Sequence, residues 1–116
     1  RAIKVRPQYV DAHRNLGNTL VQLGKLKEAE ASYTQAIALK PDLAEVHASL
    51  GSTLHEHGLL ESAEEYLKQA IDLKSDYAEA HYNLANTLRR SGRFDDARRY
   101  YENAIQLSLF DNLTRH

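Results

Sequence analysis

The sequence has no cysteine, no methionine and no tryptophan. Without cysteine there can be no disulfide, thiolate nucleophile or thiolate metal site, and the chain suits a reducing or an oxidising compartment equally. Charge of one sign is also lacking. Fifteen Lys and Arg against sixteen Asp and Glu leave a net −1, which gives no electrostatic case for nucleic acid or for an anionic membrane surface. No apolar run approaches the roughly 20 residues needed to span a bilayer, and Arg1-Ala2-Ile3-Lys4-Val5-Arg6 has no apolar signal core. The expected compartment is therefore the cytoplasm. Only two Pro and five Gly occur among 116 residues rich in Ala, Leu and Glu, a composition that points to helices. The length allows one modest domain, too small for a catalytic domain plus a second module. With no initiator Met, the chain is expected to be a piece of something longer.

What the sequence does contain is itself, several times over. Ala-Ile recurs at Ala2, Ala36, Ala70 and Ala104, each step being 34 residues. Cut at that period, the units 10–43, 44–77 and 78–111 share nine identical columns, among them His13/His47/His81, Leu16/Leu50/Leu84, Gly24/Gly58/Gly92 and Ala36/Ala70/Ala104. Within a unit the apolar spacing is helical: His47, Leu50, Gly51 and Leu54 share one face, and Leu60, Ala63, Leu67, Ala70 and Ile71 form a second. The glycine column lies between the two faces, where a residue free to take positive φ can end the first helix. Asp42-Leu43-Ala44-Glu45 and Asp76-Tyr77-Ala78-Glu79 read as an Asp N-cap with a Glu three residues on. Pro7 and Pro41 mark inter-unit turns. Each unit is thus predicted to be a helix hairpin.

The string His13, Leu16-Gly17, Leu20, Gly24, Ala29, Tyr33, Ala36, Pro41 resembles the tetratricopeptide repeat, and the resemblance covers essentially the whole chain. His stands where the family usually has Trp; Ala85 replaces Gly in the third unit; Ser75 and Leu109 replace Pro. The resemblance implies an all-α fold, a right-handed α-solenoid of stacked antiparallel helix hairpins, with each repeat touching only its neighbours. Residues 1–9 are expected to be the tail of a preceding repeat, and 112–116 the start of a further helix or the exit from the array.

An array of this family lines its concave side with the first helix of each unit. Core columns aside, the expected peptide-binding residues are Arg14, Asn15, Asn18 and Gln22 from the first unit and Ser49, Ser52 and His55 from the second. The third adds Tyr82, Asn83, Asn86, Arg89 and Arg90. The columns Asn15/Ser49/Asn83 and Asn18/Ser52/Asn86 suit the backbone of an extended peptide, because a carboxamide both donates and accepts. The first column resembles, at Asn15 and Asn83, the asparagine ladder in the repeat domain of O-linked N-acetylglucosamine transferases, and Ser49 interrupts it. Tyr82 is the aromatic expected to anchor a ligand. The family's carboxylate clamp for acidic chaperone tails fits poorly: Arg14 and Asn18 match its first Lys and Asn, but Ser49, Glu79 and Asn83 stand for Asn, Lys and Arg, and Glu79 would repel such a tail. Asp11, Glu45 and Glu79 read more simply as first-turn acids facing a helix dipole than as a rim for a basic ligand.

Six His residues do not make a metal site. His13, His47 and His81 fall on successive helices whose axes pack roughly 8–10 Å apart, beyond a shared Zn²⁺, and their column is one that packs. Neighbours two apart, as in His55-Glu56-His57, cannot chelate together from a helix. No cofactor and no catalysis are expected. The predicted function is a protein–protein interaction module, the recognition or scaffold part of a larger protein, with a protein or peptide ligand and neither nucleic acid nor membrane as partner. The alternative is a self-associating array that meets other copies through its exposed repeat ends or its groove.

Overall fold

The computed structural model describes residues 6–114, so the expectations for residues 1–5, 115 and 116 lie outside the described residues. Six helices follow one another: α1 Pro7–Gln22, α2 Leu26–Leu39, α3 Ala44–Glu56, α4 Leu60–Leu73, α5 Ala78–Arg90 and α6 Phe94–Thr114. They pair as hairpins α1/α2, α3/α4 and α5/α6, which stack in order through α2/α3 and α4/α5. The described residues contain no strand. The result is an all-α helical-repeat solenoid.

The tight turns within each hairpin follow from one residue type. Gly24, Gly58 and Gly92 take φ of 77°, 79° and 81°, a region closed to most side chains. In each turn the amide after the glycine reaches back to a leucine carbonyl: Lys25 to Leu20 at 2.8 Å, Leu59 to Leu54 and Arg93 to Leu88 at 2.9 Å. Carbonyls that the helix end would otherwise leave bare are thereby satisfied.

One expectation about helix starts needs correction. Asp42 and Asp76 are not N-caps: the cap residues are Leu43 and Tyr77, and neither makes a side-chain cap bond. Both cap side chains pack on the core instead, so burial rather than a hydrogen bond fixes these starts. Helix α1 begins at Pro7, three residues ahead of the 10–43 unit; proline at N1 loses no helical bond. Asp11 consequently lies beyond the first turn, unlike Glu45 and Glu79. Helix α6 runs unbroken through the unit boundary at Asp111, since Ser108-Leu109-Phe110-Asp111 contains neither Pro nor Gly to stop it.

The repeats are joined by two apolar clusters. Val10, Ala29, Tyr33, Ala36, Val46, Leu50, Leu54 and Ala63 tie the first hairpin to the second. Ala48, Leu67, Ala70, Ala80, Leu84, Leu88 and Ala97 tie the second to the third. Small residues mark the closest approaches. A Cβ on Gly17 would sit 2.6 Å from the Tyr33 ring, and one on Gly51 would sit 2.7 Å from Leu67 Cγ.

The histidine column is structural. His47 Nε2 donates to the Pro41 carbonyl at 2.7 Å and His81 Nε2 to the Ser75 carbonyl at 3.0 Å, so each ring ties its helix to the preceding inter-repeat turn. Their rings face Tyr66 at 6.0 Å and Tyr100 at 5.7 Å between centroids. His13 is only half-buried, and Ser32 takes the column of those tyrosines.

Candidate functional site: the concave face

The first helices α1, α3 and α5 present one face to a concavity of about 470 Å³, lined by Val21, Gly24, Leu26, Tyr33, Ala48, Ser49, Ser52, Thr53, Glu56, Tyr77, Glu79 and Asn83. Of the residues expected to bind, Ser49, Ser52 and Asn83 line it directly. Tyr33 and Tyr77 are the aromatics of this wall, and Tyr82 is not among them. Tyr82 instead sits at the α5/α6 end of the array, edge-on to Tyr101 at 5.9 Å, in a second cavity of about 670 Å³ with Ala104, Ile105 and Leu109. Its column is filled in the second repeat by Ala48, which the third repeat buries. An aromatic there therefore points along the stack.

Several carboxamides are pre-oriented by tyrosines of their own hairpin. The Tyr33 hydroxyl donates to Asn18 Oδ1 at 2.6 Å, and Tyr101 donates to Asn86 Oδ1 at 2.5 Å. With the oxygen of each amide engaged, its NH₂ is left to donate outward. Asn83 Nδ2 donates to Ser52 Oγ at 3.0 Å, joining the two polar columns across repeats. Asn15 and Gln22 are exposed on α1 without a protein partner.

The remaining predicted residues form a network at the C-terminal ends of α3 and α5. Thr87 commits its single hydroxyl proton to the Asn83 carbonyl at 3.1 Å, so His55 donates from Nδ1 to Thr87 Oγ1 at 2.9 Å. Arg90 donates to the His55 carbonyl at 2.7 Å, capping α3 with a cation where its dipole is negative. Arg89 Nε donates to the Tyr101 hydroxyl at 3.0 Å. Burial, with Arg90 and Arg89 adding to it against Glu56, holds His55 below the usual imidazole range. Arg14 pairs with Asp11 at 3.4 Å.

On the side of α6 facing α4, Glu64 receives Arg93 at 2.7 and 2.9 Å and Lys68 at 2.8 Å, while Asp96 receives Arg93 and Arg99. Much of the arginine concentration of the third unit is thus spent on a solvated network away from the cavity.

The cavity itself is electronegative. Glu56 and Glu79 line it, none of its lining residues is basic, and neither carboxylate has an ion-pair partner among the described residues. Tyr77 registers this: burial first, then the charges of Glu79 and Glu45, push its phenol up to about 12, with Arg14 opposing. A folded pKa above the unfolded value of about 10 means stability is complete below pH 10 and falls as pH rises toward 12. Tyr77→Phe is therefore expected to reduce the alkaline loss in urea midpoint over that interval, leaving the smaller share due to Tyr33, which burial also raises.

Among the described residues no three His, Asp or Glu side chains gather to hold a metal ion, and no helix is long and apolar enough to cross a membrane.

Comparison with known proteins agrees with this geometry. The description "TPR repeat" matches residues 17–58, and "Tetratricopeptide repeat" matches 44–77 and again 78–109. No curated protein matches the chain in sequence. Among solved structures, the second TPR of Spaghetti (RPAP3) bound to HSP90 peptide SRMEEVD is similar at a TM-score of 0.84 and 25% identity, covering 86% of this chain and 93% of that one. MamA is similar at 0.82 and 30% identity over 87% of this chain and 59% of its own. The first TPR of Spaghetti, at 0.87 and 22% identity over 91% and 84%, shares the fold. Repeat period, paired helices, glycine turns and these matches agree: the chain belongs to the tetratricopeptide repeat family and is a protein-interaction module.

Proposed function

We propose that the concave face receives an extended peptide segment of a partner protein, as the recognition or scaffold part of a larger protein. The observation that supports this is the row of amide groups on the first helices: Asn83, held by Ser52, lines the cavity, and Asn18 and Asn86 have their oxygens engaged by Tyr33 and Tyr101, which leaves their N–H groups to donate. Such a row matches main-chain carbonyls and asks little of side chains. Spaghetti, whose TPR carries the HSP90 peptide, supports peptide capture by this architecture. Binding, not catalysis, is the role proposed.

The test is a pull-down with the purified chain against Asn18→Ala/Asn83→Ala, read by mass spectrometry. Partners retained by the native chain should be lost from the double variant, which gives up the Tyr33–Asn18 and Ser52–Asn83 bonds and should melt somewhat lower while keeping its helical circular-dichroism spectrum at the binding temperature. Equal retention would move the interaction off the groove.

A second reading rests on the end of the array, where Tyr82, Ile105 and Leu109 are each more than half exposed. Another copy stacking there would bury them. Sedimentation should then show mass rising with concentration, and Ile105→Glu should abolish the rise. A monomer at all concentrations would remove this reading.

A further inference from the structure

We propose that the peptide segment received by the groove is basic, with a Lys or Arg side chain entering the cavity between Glu56 and Glu79 against the Tyr77 phenol. The proposal rests on the groove being the peptide site and names the chemistry it selects.

The cavity joins three features that a cationic side chain needs. It is concave and spans the hairpins, so a segment lying along α1, α3 and α5 passes over it. Among the described residues its carboxylates have no ion-pair partner for an entering cation to displace. Its aromatic wall can pack the long apolar stem of Lys or Arg while the head group reaches the carboxylates. Glu79 accepts the Tyr77 hydroxyl yet keeps further acceptor sites.

Three nearby arginines are engaged elsewhere, while Lys25 and Lys27 border an adjoining depression and not the cavity itself. Arg14 is held by Asp11, Arg90 by the His55 carbonyl and Arg89 by Tyr101. Glu45 adds to the same negative field, which Tyr77 senses from both Glu79 and Glu45. The helix-dipole account of the Asp11/Glu45/Glu79 column covers only its last two members, since Asp11 stands outside the first turn of α1. It also leaves Glu56 unexplained: this residue lies at the C-terminal end of α3, where the dipole disfavours a carboxylate.

The experiment uses three short fluorescent peptides that alternate serine with lysine, glutamine or glutamate, titrated by anisotropy into the chain. The lysine peptide should bind about tenfold or more tighter than the glutamine peptide, and less tightly as salt rises; the glutamate peptide should not bind. Glu56→Gln/Glu79→Gln should erase the preference, and Glu56→Lys/Glu79→Lys should transfer it to the glutamate peptide, a gain that no unfolded variant can produce. If all three peptides bind alike and Ser52→Arg abolishes them together, the charge selection is overturned while the groove stands. Lysine-peptide binding that survives both double variants would overturn it too. Were none of the peptides to bind the native chain, the groove reading would fall with it.

Discussion

Leu84→Ala should destabilise the chain by about 2–5 kcal/mol, the range for emptying a buried leucine site. The same substitution at Leu16, in the same column two repeats earlier, should cost about 1 kcal/mol or less. Sequence cannot separate them, because both occupy the invariant Leu column of a first helix. Burial can. Leu84 is fully enclosed where the second hairpin meets the third, packed with Leu67, Ala70, Ala80 and Leu88, whereas Leu16 is 49% exposed on α1. In a solenoid each interface stabilises only its two neighbours, so the cavity at Leu84 should also uncouple α5/α6 from the rest. Urea unfolding of both variants checks this, with a broadened transition expected for Leu84→Ala. Equal costs would mean that Leu16 is covered in solution.

Ala70→Leu should also be destabilising, by about 1–3 kcal/mol, for the opposite reason. Leucine is nearly as good a helix former as alanine, so propensity contributes little. Ala70 has no exposed surface, and a larger side chain there must push α4 away from its neighbours. Ala104 occupies the same column in α6 but borders the open end cavity with Ile105 and Leu109. Ala104→Leu has that space to enter, so its melting temperature should stay near the native value while Ala70→Leu falls. Two equal losses would show that the column is tight because of the partner helix within the hairpin, rather than because of the next repeat.

Much of this architecture was readable from the chain alone, because a repeat states each constraint more than once. The glycine column implied positive φ and the turns have it; the histidine column implied packing and His47 and His81 are buried. What was not readable depended on a residue's neighbours in space. Leu43 and Tyr77 start helices by packing, which a search for polar caps overlooks in favour of Asp42 and Asp76. Ser108-Leu109-Phe110-Asp111 carries no Pro or Gly, so α6 runs through the unit boundary that the repeat period marks. Tyr33 stands in a core column and Tyr77 in an inter-repeat turn, so neither was placed in the groove although both line it. Tyr82 could have been placed better: Ala48, its counterpart one repeat earlier, belongs to the joint between repeats.

The cross-repeat hydrogen bonds are unevenly distributed. Between the second and third hairpins run Ser52–Asn83, His55–Thr87, Arg90 to the His55 carbonyl and Arg93–Glu64. Between the first and second, the side-chain link seen among the described residues is the interaction of Ser49 with the Tyr33 hydroxyl. The joint with fewer ties should open first, so amide hydrogens of α1 and α2 should exchange with solvent sooner than those of α3 to α5. The groove would then lose its α1 edge while its Ser52–Asn83 floor persisted. A bound segment reaching α1 would slow that exchange, so deuterium uptake in the first hairpin would report how far along the groove a ligand extends.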